Sequence, residues 1–371
     1  MLGALRIART VTGRSQVVSF NGSYHGINDE VIVRGTKKLK PIASAPGIMP
    51  SAVQNMLVLD YGTEESLEII RDKAHQLAAI LVEPVQSRRP EFRPIAFLKA
   101  LRQIATESGC VLIFDEVITG FRYAPGGVQQ SFGIQADLGT YGKVVGGGMP
   151  IGMIAGRKAF MDALDGGFWT YGDQSIPEVG VTYFAGTFVR HPLAIAAAHA
   201  TLTHLKDQGP ALQDGINRRA DHLCQELNDL FKRTGAPYEY CNFGSLMKLK
   251  PKDESLPYQE LLGCWLRSKG IHIIDGFPTF LTAAHQDQHV EQVISAFSTS
   301  LDEMGSGGLL DKAGTGLASI SGNQRYYTDE GWKEGPKVKG AKLGRDRDGN
   351  PAWFVEDQDD KGNYLMISDE K

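Results

Sequence analysis

Cysteine is scarce in this chain. Its 371 residues include four, Cys110, Cys224, Cys241 and Cys264, with no Cys-x-x-Cys pair, which argues against a zinc knuckle or a disulfide framework and fits a reducing cytoplasm. Long apolar runs are also missing: none reaches the ~18 residues of a membrane span, so no membrane partner is expected. Arg6, Arg9 and Arg14 interrupt the amino-terminal stretch, which is therefore no signal peptide. Excess charge of one sign is missing too. With 39 basic and 43 acidic residues mixed along the chain and a net charge of −4, no basic stripe exists to track a phosphate backbone, and nucleic acid is not an expected partner. Histidines such as His75, His199 and His222 stand singly on helical faces, and no group of them has ligand spacing, so no metal is expected.

What is present is an ordinary globular composition, 42% hydrophobic and 22% charged. The length predicts roughly two domains. Residues 1–9 carry apolar residues at helical spacing with no Ser, Thr, Asp or Asn in front as a cap, so the chain is expected to start inside a domain. Strand-like runs follow at Gln16 to Phe20, Ala78 to Val82 and Cys110 to Phe114. Between them Thr63 caps a helix with Leu67, Ile70, Ala74 and Leu77 on one face, and Phe97, Leu98, Leu101 and Ile104 mark another, ended by Gly109. Strand, helix, strand at this spacing is a βαβ unit, which predicts a mostly parallel sheet with ligands outside the carboxyl ends of its strands.

Near residue 200 the pattern changes. Helices are expected from His191 to Leu205, Ala211 to Lys232 and Val290 to Leu301, with strands at Ser245 to Leu249 and Ile271 to Ile274. The boundaries predicted are a large domain over 1–205, a small α+β domain over 206–304 and a linker over 305–371, where Gly, Lys and Asp dominate.

Asp115 ends the apolar run Val111-Leu112-Ile113-Phe114, and Lys143 stands 28 residues later among glycines. A carboxylate at a strand end and a lysine in a glycine-rich loop are what pyridoxal phosphate chemistry requires: an amine to condense with the cofactor aldehyde, and an acid to keep the pyridine nitrogen protonated. A phosphate loop fails here, since Asp137 stands where glycine is needed and Val144 where a hydroxyl is needed. Asp115-Glu116 reads equally as a helix cap or half a metal site. Tyr24-His25-Gly26 reads as a turn, or as an aromatic platform for a planar ring. Thr187 reads as a turn residue, or as a hydroxyl for a phosphate.

Taken together, residues 20–26, Val82-Glu83-Pro84-Val85-Gln86, residues 114–122, residues 137–152 and Ala185-Gly186-Thr187 resemble class III pyridoxal phosphate aminotransferases of the glutamate-1-semialdehyde aminomutase kind, over roughly residues 1 to 300. The resemblance implies a fold type I transferase: an αβα three-layer large domain with a mostly parallel sheet and a small α+β carboxyl-terminal domain. It implies that Lys143 is the catalytic lysine, bound to pyridoxal 5'-phosphate, and that Asp115 pairs with the ring nitrogen. Tyr24 and Val117 would flank the ring, with His25 also cofactor-binding. Thr187 would reach the phosphate of a neighbouring subunit, which implies a homodimer. Glu83 and Arg122 would face the substrate.

Two departures refine this. The family's phosphate-binding turn would lie immediately before Met1, so the chain resembles an amino-terminally truncated fragment. No arginine occurs in residues 274–280 to pair with Glu83, which argues against the semialdehyde as substrate. The tail from Leu343 to Phe354 resembles the connector after aminotransferase domains in hybrid polyketide and non-ribosomal peptide synthetases, and the whole chain is similar to the integrated aminotransferases of the microcystin and nodularin type. That resemblance implies an acyl carrier domain bearing a β-keto acyl chain as partner and glutamate as amino donor. The alternatives are a 2,1-aminomutase and, in another class, a non-catalytic scaffold module.

Overall fold

Val111–Asp115 is buried along its whole length, and its side chains divide by turns between two cores, Leu112 and Phe114 into one and Val111 and Ile113 into the other. A strand covered on both faces belongs inside a layered α/β sheet. The computed structural model describes residues 1–36, 38–252, 261–310, 325–328, 331–334, 342–345, 351–356 and 364–367. Its first compact unit, Met1–Leu310, holds a six-stranded sheet.

The strands are β1 (Gln16–Phe20), β2 (Met56–Leu59), β3 (Leu77–Val82), β4 (Val111–Asp115), β5 (Leu138–Tyr141) and β6 (Met153–Gly156), in the spatial order β2-β1-β3-β4-β5-β6. All pairings are parallel except β5 with β6, which is antiparallel. Helix α1 (Leu2–Thr12) buries Ala4, Leu5, Ile7 and Ala8 on one face of the sheet. On the other face lie α2 (Glu64–Lys73) and α3 (Ile95–Ser108), whose Leu67, Ile70, Leu98 and Leu101 join the strand side chains. The result is the expected αβα arrangement. Thr63 caps α2 by accepting from Ser66 N at 3.3 Å, and Gly109 ends α3 in the left-handed region at φ 71°. Arg14 ties the bottom of the sheet together, donating to Leu77 O at 3.1 Å and Ser108 O at 3.0 Å.

A short helix α4 (Gly127–Phe132) precedes β5, and α5 (Pro192–Gln208) and α6 (Pro210–Thr234) follow β6. Beyond them a separate core gathers Leu223, Leu227, Phe231, Leu266, Phe297 and Leu301. It is built from α6, α7 (Leu261–Ser268), α8 (Asp287–Ser306) and the antiparallel strands β7 (Tyr238–Phe243), β8 (Leu246–Pro251) and β9 (Thr279–Phe280). The strand expected at Ile271 to Ile274 is not formed. Ile271 N closes the end of α7 on Leu266 O at 2.9 Å, Phe277 N closes a turn on Ile274 O at 3.2 Å, and β9 takes the place beside β8.

Residues 311–371 form a second compact unit. Five short strands stand in the stretch read as linker, Arg325–Thr328 paired with Gly331–Glu334, and Lys342–Arg345, Pro351–Glu356 and Tyr364–Ile367 in a three-stranded antiparallel sheet. Residues 346–350 of the connector-like tail lie outside the described residues.

Candidate active site

Four neighbouring strands end at the same edge of the sheet, and each delivers a site residue just past its carboxyl end. β1 leads to Tyr24 and His25, β3 to Glu83, β4 ends on Asp115, and β5 leads to Lys143. A cavity of 430 Å³ is lined by Tyr24, His25, Glu83, Asp115, Val117 and Lys143, together with Met1, Leu2 and Ile118. A second cavity, of 500 Å³, shares Val117 and Lys143 with it. Asp115 and Lys143, 28 residues apart in sequence, therefore face one space.

Asp115 is buried at 5% exposure, yet fully partnered. His25 Nδ1 lies 2.7 Å from its Oδ2, while Thr140 Oγ1 and Val117 N donate to Oδ1 at 3.1 and 3.2 Å. Burial is the largest single influence and would raise its pKa, but the hydrogen bond and charge of His25, with the Val117 and Thr140 donors, together hold it below the ordinary carboxylate value. The opposite outcome holds at Glu83, buried at 2% exposure, where burial outweighs His25 and the Ser87 donor and leaves the pKa raised. Its Oε2 accepts from Tyr24 N at 3.3 Å and its Oε1 from Ser87 N at 2.8 Å. His25 Nε2 is buried and has no hydrogen-bond partner among the described residues. Tyr24 keeps 48% of its surface exposed at the cavity mouth.

Lys143 stands at φ 45°, a left-handed conformation that a lysine adopts at a cost. What holds it is the glycine-rich turn behind it. Gly147, at φ 55°, lies so close to α5 that a Cβ would come 2.4 Å from Thr201 Oγ1. The lysine loop is thus pressed against a helix whose contact admits no side chain at that point. Upstream, Asp137 fixes the start of β5: its Oδ2 accepts from Leu112 N at 2.9 Å, and Arg102 and Arg157 approach it at 2.9 and 3.3 Å.

Two expected residues stand apart from this cluster. Thr187 lies in an exposed segment and lines neither cavity, although its neighbours Phe184, Ala185 and Val189 line the second. Arg122 lines neither. Its guanidinium sits 4.1 Å from the Phe280 ring centroid, burial lowers its pKa to about 10, and its buried Nε has no partner among the described residues. Glu116, paired with Asp115 in the sequence, does cap a helix: its carboxylate accepts from Val128 N at 2.7 Å and Gln129 N at 3.3 Å at the start of α4. Thr140 was not singled out by sequence reasoning, because only the register Asp115↔Thr140 between β4 and β5 brings its hydroxyl to the carboxylate.

Among the described residues no cluster of three or more His, Cys, Asp or Glu could hold a metal, and no helix is long and apolar enough to cross a membrane. The donor set suits an aromatic nitrogen heterocycle with an aldehyde: an anionic acid on the floor, an aromatic ring and Val117 beside it, and a primary amine on the same cavity.

Comparison with known proteins agrees with this chemistry. The sequence profile of the family described as aminotransferase class-III matches residues 1–299. Glutamate-1-semialdehyde 2,1-aminomutase from Alkaliphilus oremlandii is 33% identical over 320 residues, 82% of this chain and 72% of that protein. A solved transaminase with PLP bound superposes with a TM-score of 0.73 at 28% identity, covering 83% of this chain and 72% of that one. A β-phenylalanine aminotransferase from Variovorax paradoxus does so with a TM-score of 0.67 at 28% identity, over 82% of this chain and 68% of its own.

Proposed function

Because the chain belongs to the class-III aminotransferases and is a pyridoxal-phosphate-dependent transaminase, we propose that it moves an amino group from glutamate to the ketone of a β-keto acyl thioester borne on a carrier domain. The observation that carries the reading is the cavity lined by both Asp115, whose pKa is held below the ordinary carboxylate value, and Lys143.

When bound, pyridoxal phosphate supplies an electron sink for the carbanion formed at the reacting carbon. Asp115, kept anionic by His25, Thr140 and Val117, would hold a proton on the ring nitrogen. Tyr24 and Val117 would flank the ring, and the Lys143 amine would hold it and, when free, move the proton at the reacting carbon. Glu83 holds its proton more readily than an ordinary carboxylate, because burial outweighs the His25 charge and the Ser87 donor. Arg122 enters this reading only through the family resemblance, since its guanidinium sits over Phe280 and lines neither cavity.

The reading includes a homodimer. Phe168, Tyr171, Ile176, Tyr183 and Phe188 are 70% exposed or more within one segment that also carries Thr187, an apolar surface of the kind that a second copy covers. The likeness to a β-phenylalanine aminotransferase supports amination at a β-carbon. A second reading, intramolecular 2,1-aminomutation, is favoured by the names of the curated relatives. Nitrogen-15 glutamate separates the two: label in the β-amino thioester supports transfer, whereas unlabelled product from an amino-aldehyde substrate supports the mutase.

A further inference from the structure

Beside β8 and the turn before β9 lies a cavity of 770 Å³ that shares no lining residue with the two at Lys143. Its lining carries Arg88, Arg89, Lys248 and Lys250 and, among the described residues, one carboxylate, Asp275. That carboxylate is engaged by Arg267 at 3.3 Å, and Lys250 pairs with Glu91. Arg89 stacks over Phe92 at 4.5 Å, and Arg88 has no ion-pair partner among the described residues. Lys248 donates to Gly276 O, and its pKa is lowered first by burial and then by the charges of Arg88 and Lys250. Cations that repel one another at one wall gain most from an anion placed among them. The same lining includes Ile274 and Phe277, both exposed, over the buried Leu262 and Leu266. Cations beside exposed apolar surface suit a phosphate at the end of an uncharged chain.

The loop bearing Arg88 starts at Glu83, which lines the lysine cavity. Ser87 N folds back to Glu83 Oε1 at 2.8 Å, and five residues span at most about 18 Å even when extended. The cationic wall and the lysine cavity therefore flank one short loop.

We propose that this groove binds the 4'-phosphopantetheine arm of a carrier domain, its phosphate among Arg88, Arg89 and Lys248 and its pantetheine chain along Ile274 and Phe277. The inference rests on the carrier-borne substrate proposed above and names the surface that presents it. Calorimetric titration of the full chain with 4'-phosphopantetheine and with pantetheine tests it. The phosphorylated arm is expected to bind about tenfold tighter, and R88S/R89S, and separately Lys248→Gln, to erase that margin while leaving the Lys143-bound cofactor absorption unchanged. Equal binding of both arms, or a margin that survives both variants, overturns the groove. The bearer is tested with one acetoacetyl group on holo-carrier and on coenzyme A: a lower KM for the carrier supports the assignment, and a lower KM for coenzyme A overturns it. If both are aminated regardless of the arginines, the groove falls and the transaminase reading stands. If the arm binds as described but no thioester is aminated, the substrate reading falls while the groove stands.

Discussion

His25→Phe isolates what keeps Asp115 ionised. In the folded chain the carboxylate has three partners, His25 Nδ1 at 2.7 Å, Thr140 Oγ1 at 3.1 Å and Val117 N at 3.2 Å, and burial works against them. A hydrogen bond to a charged group contributes about 1.5–3 kcal/mol, so losing His25 should raise the Asp115 pKa, with burial then less opposed. The sign follows from linkage. A carboxyl with a depressed folded pKa stabilises the fold above its unfolded value and loses that contribution as the pH falls through the folded value, so the variant should have a smaller contribution whose loss is complete at a higher pH than in the parent. The assay is reconstitution with pyridoxal phosphate, followed by the visible absorption and cofactor dissociation constant across the acid range. The acid limb should move to higher pH, and loss of an interaction of about 1.5–3 kcal/mol should lower cofactor affinity near neutrality about tenfold or more. His25→Gln, which keeps a donor without the charge, should fall between. An acid limb in His25→Phe that coincides with the parent's would refute the reasoning.

Lys143→Ala should abolish the absorption band of covalently held cofactor and reduce transamination to background, with the thermal midpoint little changed; a retained band would place the reactive amine elsewhere. Gly147→Ala should destabilise by roughly 1–3 kcal/mol, since its Cβ would press on Thr201 Oγ1 at an unfavourable φ, and Thr201→Ala should recover part of the loss in a double-mutant cycle read by denaturant unfolding. Leu227→Ala, fully buried in the core of the region after residue 210, should cost about 2–5 kcal/mol in the same assay. Thr63→Ala should cost about 1 kcal/mol by removing the α2 cap.

The layered fold was legible because its strands are buried on both faces and read as continuous apolar runs: Ala78 to Val82 and Val111 to Phe114 leave little other interpretation. The site was legible where chemistry is local to a strand end, as at Asp115 and Lys143. It was not legible where a partner arrives by register or by distant packing. Thr140 reaches Asp115 only through the β4–β5 pairing, and Gly147 has its meaning only against Thr201. Ile271 to Ile274 misled because a short β-branched run has the same pattern whether it pairs or simply trails from a helix end.

The adjacent acids Asp115 and Glu116 divide their labour across the end of one strand. Asp115 serves the cavity, while the neighbouring carboxylate grips the first amides of α4, and Gly127, with φ 63°, comes so close that a Cβ would lie 2.2 Å from Glu116 Oε2. That grip works as an indexing pin: α4 cannot slide without pulling on the peptide that carries Asp115. Substitutions in the loop 120–127, which lines neither cavity at Lys143, should therefore retune Asp115 through a single shared peptide.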